Sequence, residues 1–165
     1  MANYRLQTLL EMRQRAKEDA ERRFSEAMQA LAKEQKELKR LEEDLERRKQ
    51  ERKEKVQAYL AEIMSKGVVG INAFNSMNLY EERLKDEEAQ VALDIERQKE
   101  AVKAAERFVE EKRLEMAEAA KELKAIEKHK ENWAKEVKRE RDMREEMAQE
   151  EIGNALHLAR TRQGT

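Results

Sequence analysis

Few side chains of this sequence could do chemistry, and they lie far apart. The chain has two histidines, His129 and His157, and no cysteine. On one helix the two imidazoles would be separated by about 42 Å at ~1.5 Å per residue, so one chain cannot bring them to a shared metal ion. Without cysteine, neither disulfides nor thiolate metal sites can form. We therefore expect no metal site and interpret both histidines as surface or interface residues.

Composition and motifs also argue against an enzyme. The sequence contains no glycine-rich phosphate loop, no nucleophile elbow and no metal-binding helix pair. Charged residues make up 44% of the 165 residues, aromatic residues make up 4%, and proline is absent. Such a composition predicts an elongated chain without the deep pocket in which side-chain pKa values are shifted. We expect no catalytic residues and no cofactor.

The distribution of charge points to a protein partner. Lys and Arg number 36, Asp and Glu number 37, and the two signs are mixed along the chain. There is thus no basic block for nucleic acid and no acidic tail. The N-terminal stretch MANYRLQTLLEMRQR is too charged for a signal peptide, and no run approaches the ~20 apolar residues of a membrane span. We therefore expect a soluble chain that does not insert into a membrane and is not exported by means of a signal peptide.

Apolar positions in the first third of the chain follow the spacing of a coiled coil. They recur in steps of three and four, which places them along one stripe of a helix. The pattern predicts a first helix over about residues 3–64, and Gly67 and Gly70 then predict a turn over residues 65–71 because glycine readily adopts positive φ. The seam positions of this helix are Ala20, Phe24, Ala27, Leu31, Glu34, Leu38, Leu41, Leu45, Arg48, Arg52, Val56, Tyr59 and Ile63.

A second and more regular stripe follows the turn, and it predicts a second helix over about residues 72–160. Its seam positions are Leu84, Glu88, Val91, Ile95, Gln98, Val102, Ala105, Val109, Lys112, Met116, Ala119, Leu123, Ile126, Lys130, Trp133 and Val137. Two amphipathic helices joined by a short turn bury their stripes most simply against each other. We therefore predict an all-α fold in which residues 1–165 form a single elongated domain, an antiparallel coiled-coil hairpin.

The second helix is predicted to be longer than the first and to overhang it at the end that holds both termini. In a hairpin folded about residue 68, position i faces position 136 − i. Tyr4 and Leu6 then lie near residues 130–133. At ~1.5 Å per residue, roughly 40 Å of the second helix extends beyond its partner.

The overhanging part carries both charge and an apolar face. Opposite charges four residues apart, such as Lys138 and Asp142, can support an exposed helix. Beyond them Ile152, Leu156 and Ala159 share one side of the helix, and the first helix cannot reach them. This face indicates contact with a second protein.

Three further features each leave two interpretations open. Arg48 and Arg52 occupy seam positions, where they pair with Glu87 or Glu88 or leave a weak point at which the hairpin opens or bends. Trp133 packs against the N-terminal residues or anchors a partner. Apolar residues around the turn close the hairpin or contact a partner; they are Val68, Val69, Ile71, Phe74, Met77, Leu79 and Tyr80.

Several segments resemble the YscO/FliJ family of type III secretion stalk proteins. The N-terminal segment is YRLQTLLEMRQRAKEDAERR, with Tyr4, Leu6, Leu9 and Leu10 as its informative positions. The C-terminal segment is EKHKENWAKEVKRERDMREEMAQEEIGNALHLA, in which residues 129–133 and the run Glu151, Ile152, Gly153, Leu156, His157 carry the resemblance. These last two runs are closer to YscO-type injectisome proteins than to flagellar FliJ.

The resemblance implies a hairpin similar to the coiled coil of the rotary ATPase γ subunit, at the cytoplasmic face of a membrane secretion apparatus that serves virulence. It implies a monomer that binds and stimulates a hexameric export ATPase, links it to the export gate, and also meets secretion chaperones. The end with both termini, including Tyr4, Leu6, Trp133, Ile152 and Leu156, would enter the ATPase pore. The opposite end would face the gate, through Val69, Ile71, Phe74, Met77 and Leu79.

Phe74 is the favoured gate contact because it resembles an aromatic residue near the start of the family's second helix. Asn78, four residues later, departs from the expected apolar neighbour. Two other functions remain open. One is a chaperone escort that binds amphipathic helices through an exposed groove. The other is a generic structural coiled coil that dimerises through its long seam, with Gly67 and Gly70 within or beside one continuous helix.

Overall fold

Two long helices account for nearly all of the chain. The computed structural model describes residues 3–67 and 70–164, and those residues contain α1 (Gln7–Ser65) and α2 (Ile71–Gln163) but no strand. The helices pack against each other as a helical hairpin, and α2 is the longer, with 93 residues against 59. The predicted all-α class and the unequal pair of helices are confirmed.

The predicted seams supply the contact between the helices. Every seam position named for α1 and for α2 is buried or half-buried. The most buried apolar side chains among them are Ala20, Ala27, Val91, Ile95, Val102 and Leu123. Small residues on α1 let the larger aliphatic side chains of α2 approach, as in coiled-coil packing. The fold is thus held by one narrow apolar seam rather than by a compact core.

Contacts divide the chain into two compact units, of which one comprises Met1–Glu21 with Leu114–Thr165. In this unit Arg13 Nη1 donates a hydrogen bond to Glu122 Oε2 at 2.5 Å, and Lys130 Nζ donates to Gln7 Oε1 at 2.8 Å. The paired residue numbers sum to 135 and 137. These contacts therefore follow the register in which position i faces position 136 − i.

The other unit comprises Arg22–Arg113, and within it α1 and α2 run antiparallel. Gln98 Nε2 donates to both the side chain and the backbone carbonyl of Glu34, at 2.5 and 3.0 Å. Farther along, the rings of Tyr59 and Tyr80 stack with centroids 6.1 Å apart. Polar and aromatic pairs thus lie between the aliphatic layers of the seam.

The ends of the helices differ slightly from the predicted bounds. Helix α1 begins at Gln7 rather than near residue 3, because residues 5 and 6 form a turn in which the Gln7 amide donates to the Tyr4 carbonyl at 3.2 Å. It ends at Ser65, and Gly67 has a φ of +66°. A left-handed glycine is a common helix terminator. Helix α2 begins at Ile71, and the Gly70 carbonyl accepts from the amides of Ala73 and Phe74.

Candidate partner-binding surfaces

An aromatic cluster of Tyr4, His129 and Trp133 lies where the N-terminal residues meet α2. The ring of Tyr4 lies 5.1 Å from that of Trp133 and 5.8 Å from that of His129, tilted against both. The Tyr4 hydroxyl and His129 Nδ1 share a hydrogen bond of 2.5 Å, and Lys130 Nζ lies 5.9 Å from the Tyr4 ring centre. Tyr4 is only 8% exposed. The cluster holds the start of the chain against α2.

Three of the residues predicted to contact the ATPase meet at this cluster. Tyr4 is buried, while Leu6 and Trp133 are half-buried. Together with Arg5 and His129 they line an open groove of about 500 Å³. Trp133 therefore packs against the N-terminal residues, and part of its indole remains open to solvent.

The remaining two predicted ATPase contacts lie on the overhang, which we define as residues 138–164. Every residue of the overhang is exposed. Ile152 is 62% exposed and Leu156 is 55% exposed. Burial of these two apolar side chains against another protein would be favourable. The helical part of the overhang spans about 39 Å at ~1.5 Å per residue. The structure thus separates the predicted residues into a packed group at the cluster and a bare group on the overhang.

The sequence reasoning missed a second group of apolar side chains on the overhang. Met143, Met147 and Leu158 are also exposed, by 61%, 60% and 57%. They lie outside the stripe of Ile152 and Leu156, which was the only face sought. Placing each apolar residue around a helical wheel at about 100° per residue would have found them.

The gate-end residues are also divided by the structure. Ile71 and Leu79 are 81% and 66% exposed, whereas Phe74 and Met77 are half-buried. Val69 lies outside the described residues. Met64, which the sequence reasoning did not select, is 65% exposed on the last turn of α1. Apolar residues near the turn are therefore divided: some pack within the hairpin and some face solvent.

A layer of charged residues interrupts the seam between the turn and the aliphatic part of the hairpin. Arg52 Nε donates to Glu88 Oε1 at 2.7 Å and its Nη1 lies 3.6 Å from Glu81 Oε1. Arg48 Nη1 lies 3.6 Å from Glu87 Oε2. Glu88 is only 9% exposed, so its charge depends on Arg52 for compensation. Of the two interpretations of these arginines, pairing with Glu87 and Glu88 is the one observed.

Asp44 extends the charged layer along α1. Its carboxylate accepts a hydrogen bond from Arg48 Nε at 3.0 Å and also binds Arg47. The hydrogen bond from Arg48 is the main cause that lowers the pKa of Asp44, and the charges of Arg48 and Arg47 lower it further, against partial desolvation. The same carboxylate raises the pKa of Arg48. Both groups are therefore held in their charged forms.

Residues 3–67 and 70–164, the part of the chain that the structure describes, hold neither a membrane-spanning helix nor a cluster of metal ligands. Neither helix there contains a stretch that is both long enough and apolar enough to cross a bilayer. Within the same ranges no three His, Asp or Glu side chains come together as ligands for a metal ion.

Comparison with known proteins relates the whole chain to one family. A family model described as YscO-like protein matches residues 1–163. The solved structure of CT670 from Chlamydia trachomatis, a candidate YscO homologue, superposes with a TM-score of 0.81 at 26% sequence identity. The match covers 98% of this chain and 99% of that one. No curated protein sequence shows significant similarity to the chain.

Proposed function

The chain belongs to the YscO-like family of type III secretion components, and from this premise we propose that it is the non-enzymatic central stalk of such a system. In this role it binds and stimulates the hexameric export ATPase and links that ring to the export gate at the cytoplasmic face of the membrane. It acts through contact alone and performs no reaction of its own. We include secretion chaperones in the proposal as further partners.

The observation that carries the proposal is the overhang. Residues 138–164 continue α2 beyond its last contact with the N-terminal residues, and all of them are exposed. A helix without a packed face draws little stability from its own hydrogen bonds, so most helices are stabilised by tertiary contact. Ile152 and Leu156 are apolar side chains that a partner can bury. A ring with a central pore would cover such a segment.

The region around the turn supports a second contact. Between Val56 and Tyr80 the only charged residues are Glu62 and Lys66, and these two pair at 3.2 Å. Exposed Ile71 and Leu79 lie in the same region. In a chain that is 44% charged, such a segment is suited to an apolar surface of a gate protein.

Asymmetry is the mechanism by which a single stalk would stimulate a ring. One helix in a six-fold pore must contact the six subunits unequally. A ligand shifts a conformational equilibrium only by the difference in its affinity for the two states. The stalk would therefore bias subunits that it touches toward one state and leave the others free.

ATP hydrolysis by the export ATPase tests this function. The assay compares the ATPase alone, with the full chain, and with a chain truncated after Val137, at concentrations where the ring is only partly assembled. We expect the full chain to raise both ring assembly and hydrolysis, and the truncated chain to do neither. If the full chain has no effect on a folded, active ATPase, the stalk function is wrong.

The same variants separate the other functions. A chaperone escort would bind its clients through the paired part of the hairpin, so truncation after Val137 would leave client binding intact. A dimerising coiled coil would need one continuous helix through Gly67, but α1 ends at Ser65 and Gly67 has a φ of +66°. Retention of chaperone binding together with no effect on the ATPase would favour the escort.

A further inference from the structure

The spacing of the seam residues is interrupted at the level of Arg52. Seam positions elsewhere alternate between steps of three and four, but here each helix has two consecutive steps of four. The positions are Arg48, Arg52 and Val56 on α1 and Tyr80, Leu84 and Glu88 on α2, all of them buried or half-buried. Since position i faces position 136 − i, position 52 faces position 84. The two irregularities therefore lie side by side.

Two steps of four turn the seam around each helix. Eight residues advance by about 80° beyond two full turns at about 100° per residue, whereas seven residues fall about 20° short. The apolar stripe on the turn side of this level therefore does not continue the stripe on the other side. Packing in one part of the hairpin gives little orientation to the other part.

The charged layer fills the seam at this level. Arg52 Nε donates to Glu88 Oε1 at 2.7 Å, and the side chains of Arg52 and Glu88 are 18% and 11% exposed. The contact of Arg52 with Glu81, on the turn side of Glu88, is longer at 3.6 Å. An opening that starts at the turn can therefore stop at this layer without leaving the carboxylate of Glu88 unpaired.

Burial is lower in the turn segment, which we define as residues 53–80. The structure describes residues 53–67 and 70–80 of it, and none of these is buried. By contrast Glu88, Val91 and Ile95, which follow the charged layer on α2, are all buried. Because hydrophobic stabilisation grows with the apolar area removed from water, the pairing of the helices is weaker in the turn segment.

Polar contacts between the helices also stop at the charged layer. Among residues 53–67 and 70–80, no ion pair or hydrogen bond joins α1 to α2, and the pair of Glu62 with Lys66 lies within α1. The rings of Tyr59 and Tyr80 stack across the seam with centroids 6.1 Å apart. Separation of the helices in this segment thus breaks apolar contacts and no polar bond between them.

We propose that the turn segment opens as a unit of its own while the rest of the hairpin stays paired, with the charged layer around Arg52 as the boundary. Opening separates α1 from α2 between this layer and the turn. It uncovers half-buried apolar side chains such as Phe74 and Met77, beside Ile71 and Leu79, which are already exposed. This opening needs no partner, so it occurs whether or not the chain acts as a stalk.

Hydrogen exchange of the parent chain alone measures the opening. Parts of a protein that open separately exchange their amides at separate rates, so we expect residues 53–63 and 74–80 to exchange faster than residues 88–105 by roughly tenfold or more. Their exchange should also depend less on dilute urea, because a partial opening exposes less surface than global unfolding. A common rate for both parts would overturn the inference. So would a gradual rise toward the turn without a step at the charged layer, which is the pattern of end fraying.

A crosslink across the turn segment tests whether the helices must part. The chain has no cysteine, so Y59C/Y80C provides two thiols where the rings of Tyr59 and Tyr80 now stack, and a short bis-maleimide can join them. The same variant without the crosslinker is the control. We expect the crosslink to slow exchange in the turn segment by roughly tenfold and to leave residues 88–105 unchanged. Equal exchange with and without the crosslink would show that the amides exchange while the helices stay together.

Two matched double variants test the boundary. R52L/E88L makes the layer apolar, so that packing can continue through it, and we expect the turn segment to exchange about threefold more slowly or less. E34L/Q98L is the control, because Gln98 bonds Glu34 at a regular part of the seam, and it should leave the turn segment unchanged. Equal slowing by both variants would assign the effect to overall stability, and no slowing by R52L/E88L would show that this layer is not the boundary.

Discussion

Arg52 shows how a charged residue can hold a seam position. Its guanidinium lies 2.7 Å from Glu88 and 3.6 Å from Glu81, and both partners come from α2. Polar groups in a seam specify register at some cost in stability, because only one alignment satisfies them. The pairing of Arg52 with Glu88 therefore aligns the helices at a point where the seam has no large apolar residue.

Removal of Arg52 alone should destabilise the hairpin. R52A leaves the carboxylate of Glu88 nearly buried and without its main partner, and we expect a loss of roughly 1–3 kcal/mol in the free energy of unfolding. R52L/E88L removes both charges and should recover much of that loss. Urea denaturation followed by circular dichroism measures both variants. Equal stability of R52A and the parent would show that the pair contributes nothing.

Acid should weaken the charged layer on α1. The folded pKa of Asp44 lies below its ordinary value because Arg48 and Arg47 bind the carboxylate. A lowered folded pKa contributes stability that is present above the unfolded pKa of ~4 and is lost as pH falls through the folded value. We expect the Tm to fall below pH ~4 and D44N to fall less steeply over the same range. Parallel curves for D44N and the parent would contradict this role.

Tyr4 should control the environment of the only tryptophan. Trp133 packs 5.1 Å from the Tyr4 ring, and the chain contains one tryptophan. Y4A removes that cover, so we expect Trp133 emission to shift to the red and to become more accessible to acrylamide. Helical content by circular dichroism should change little, because Tyr4 precedes α1. Y80A, in the other compact unit, is the control and should leave Trp133 emission unchanged.

At the scale of the helices, the sequence predicted the seams well because one physical cause sets them. A side chain in the seam is covered by the other helix, and this one-sided burial gives apolar residues a spacing of three and four. Even Glu34, Gln98 and Lys112, which the spacing placed in the seams despite their polarity, are half-buried. The register expected from a fold about residue 68 is the one that the contacts of Arg13 with Glu122 and of Lys130 with Gln7 follow.

Reasoning from apolar spacing failed where no second helix buries one side of the helix. The overhang has no helix beside it in this structure, so no single stripe describes it, and a search for one stripe found Ile152 and Leu156 but missed Met143 and Met147. The start of α1 was also placed too early, because residues 5 and 6 form a turn instead of continuing the helix toward Tyr4. Local spacing does not show this turn, although the fold about residue 68 correctly placed Tyr4 near residues 130–133.

Gly67 should matter more to the hairpin than other glycines. Its φ of +66° is a conformation that costs an L-residue with a Cβ roughly 1–2 kcal/mol. No heavy atom would lie within 4 Å of an added Cβ, so the penalty in G67A arises from backbone strain alone. We expect G67A to lower the free energy of unfolding by about 1 kcal/mol.

G153A is the matched control for that change. Gly153 lies within α2, lacks a positive φ and also has open space around an added Cβ. Alanine is favoured over glycine inside a helix by about 1 kcal/mol, so G153A should raise helical content. A destabilising G153A, or a neutral G67A, would show that backbone conformation does not explain these positions.

For the whole molecule, the pairing of α1 with α2 predicts a monomer. The two seams cover each other within one chain, so a second copy has no seam left to bind. We expect sedimentation equilibrium to give the chain mass of 19.6 kDa across the micromolar range, independent of concentration. A mass that doubles with concentration would indicate self-association, either through the overhang or by exchange of helices between chains.

Because the overhang is exposed, the lifetime of each copy should depend on whether a partner covers this segment. Proteases cut segments that open locally, and an exposed helix without packing is the part of a protein that opens at least cost. The overhang contains Lys138 and five arginines, and many proteases cut after these residue types. A copy without its partner would then be degraded sooner than a copy held by it. The cell would in this way match the number of these chains to the number of assemblies that can use them.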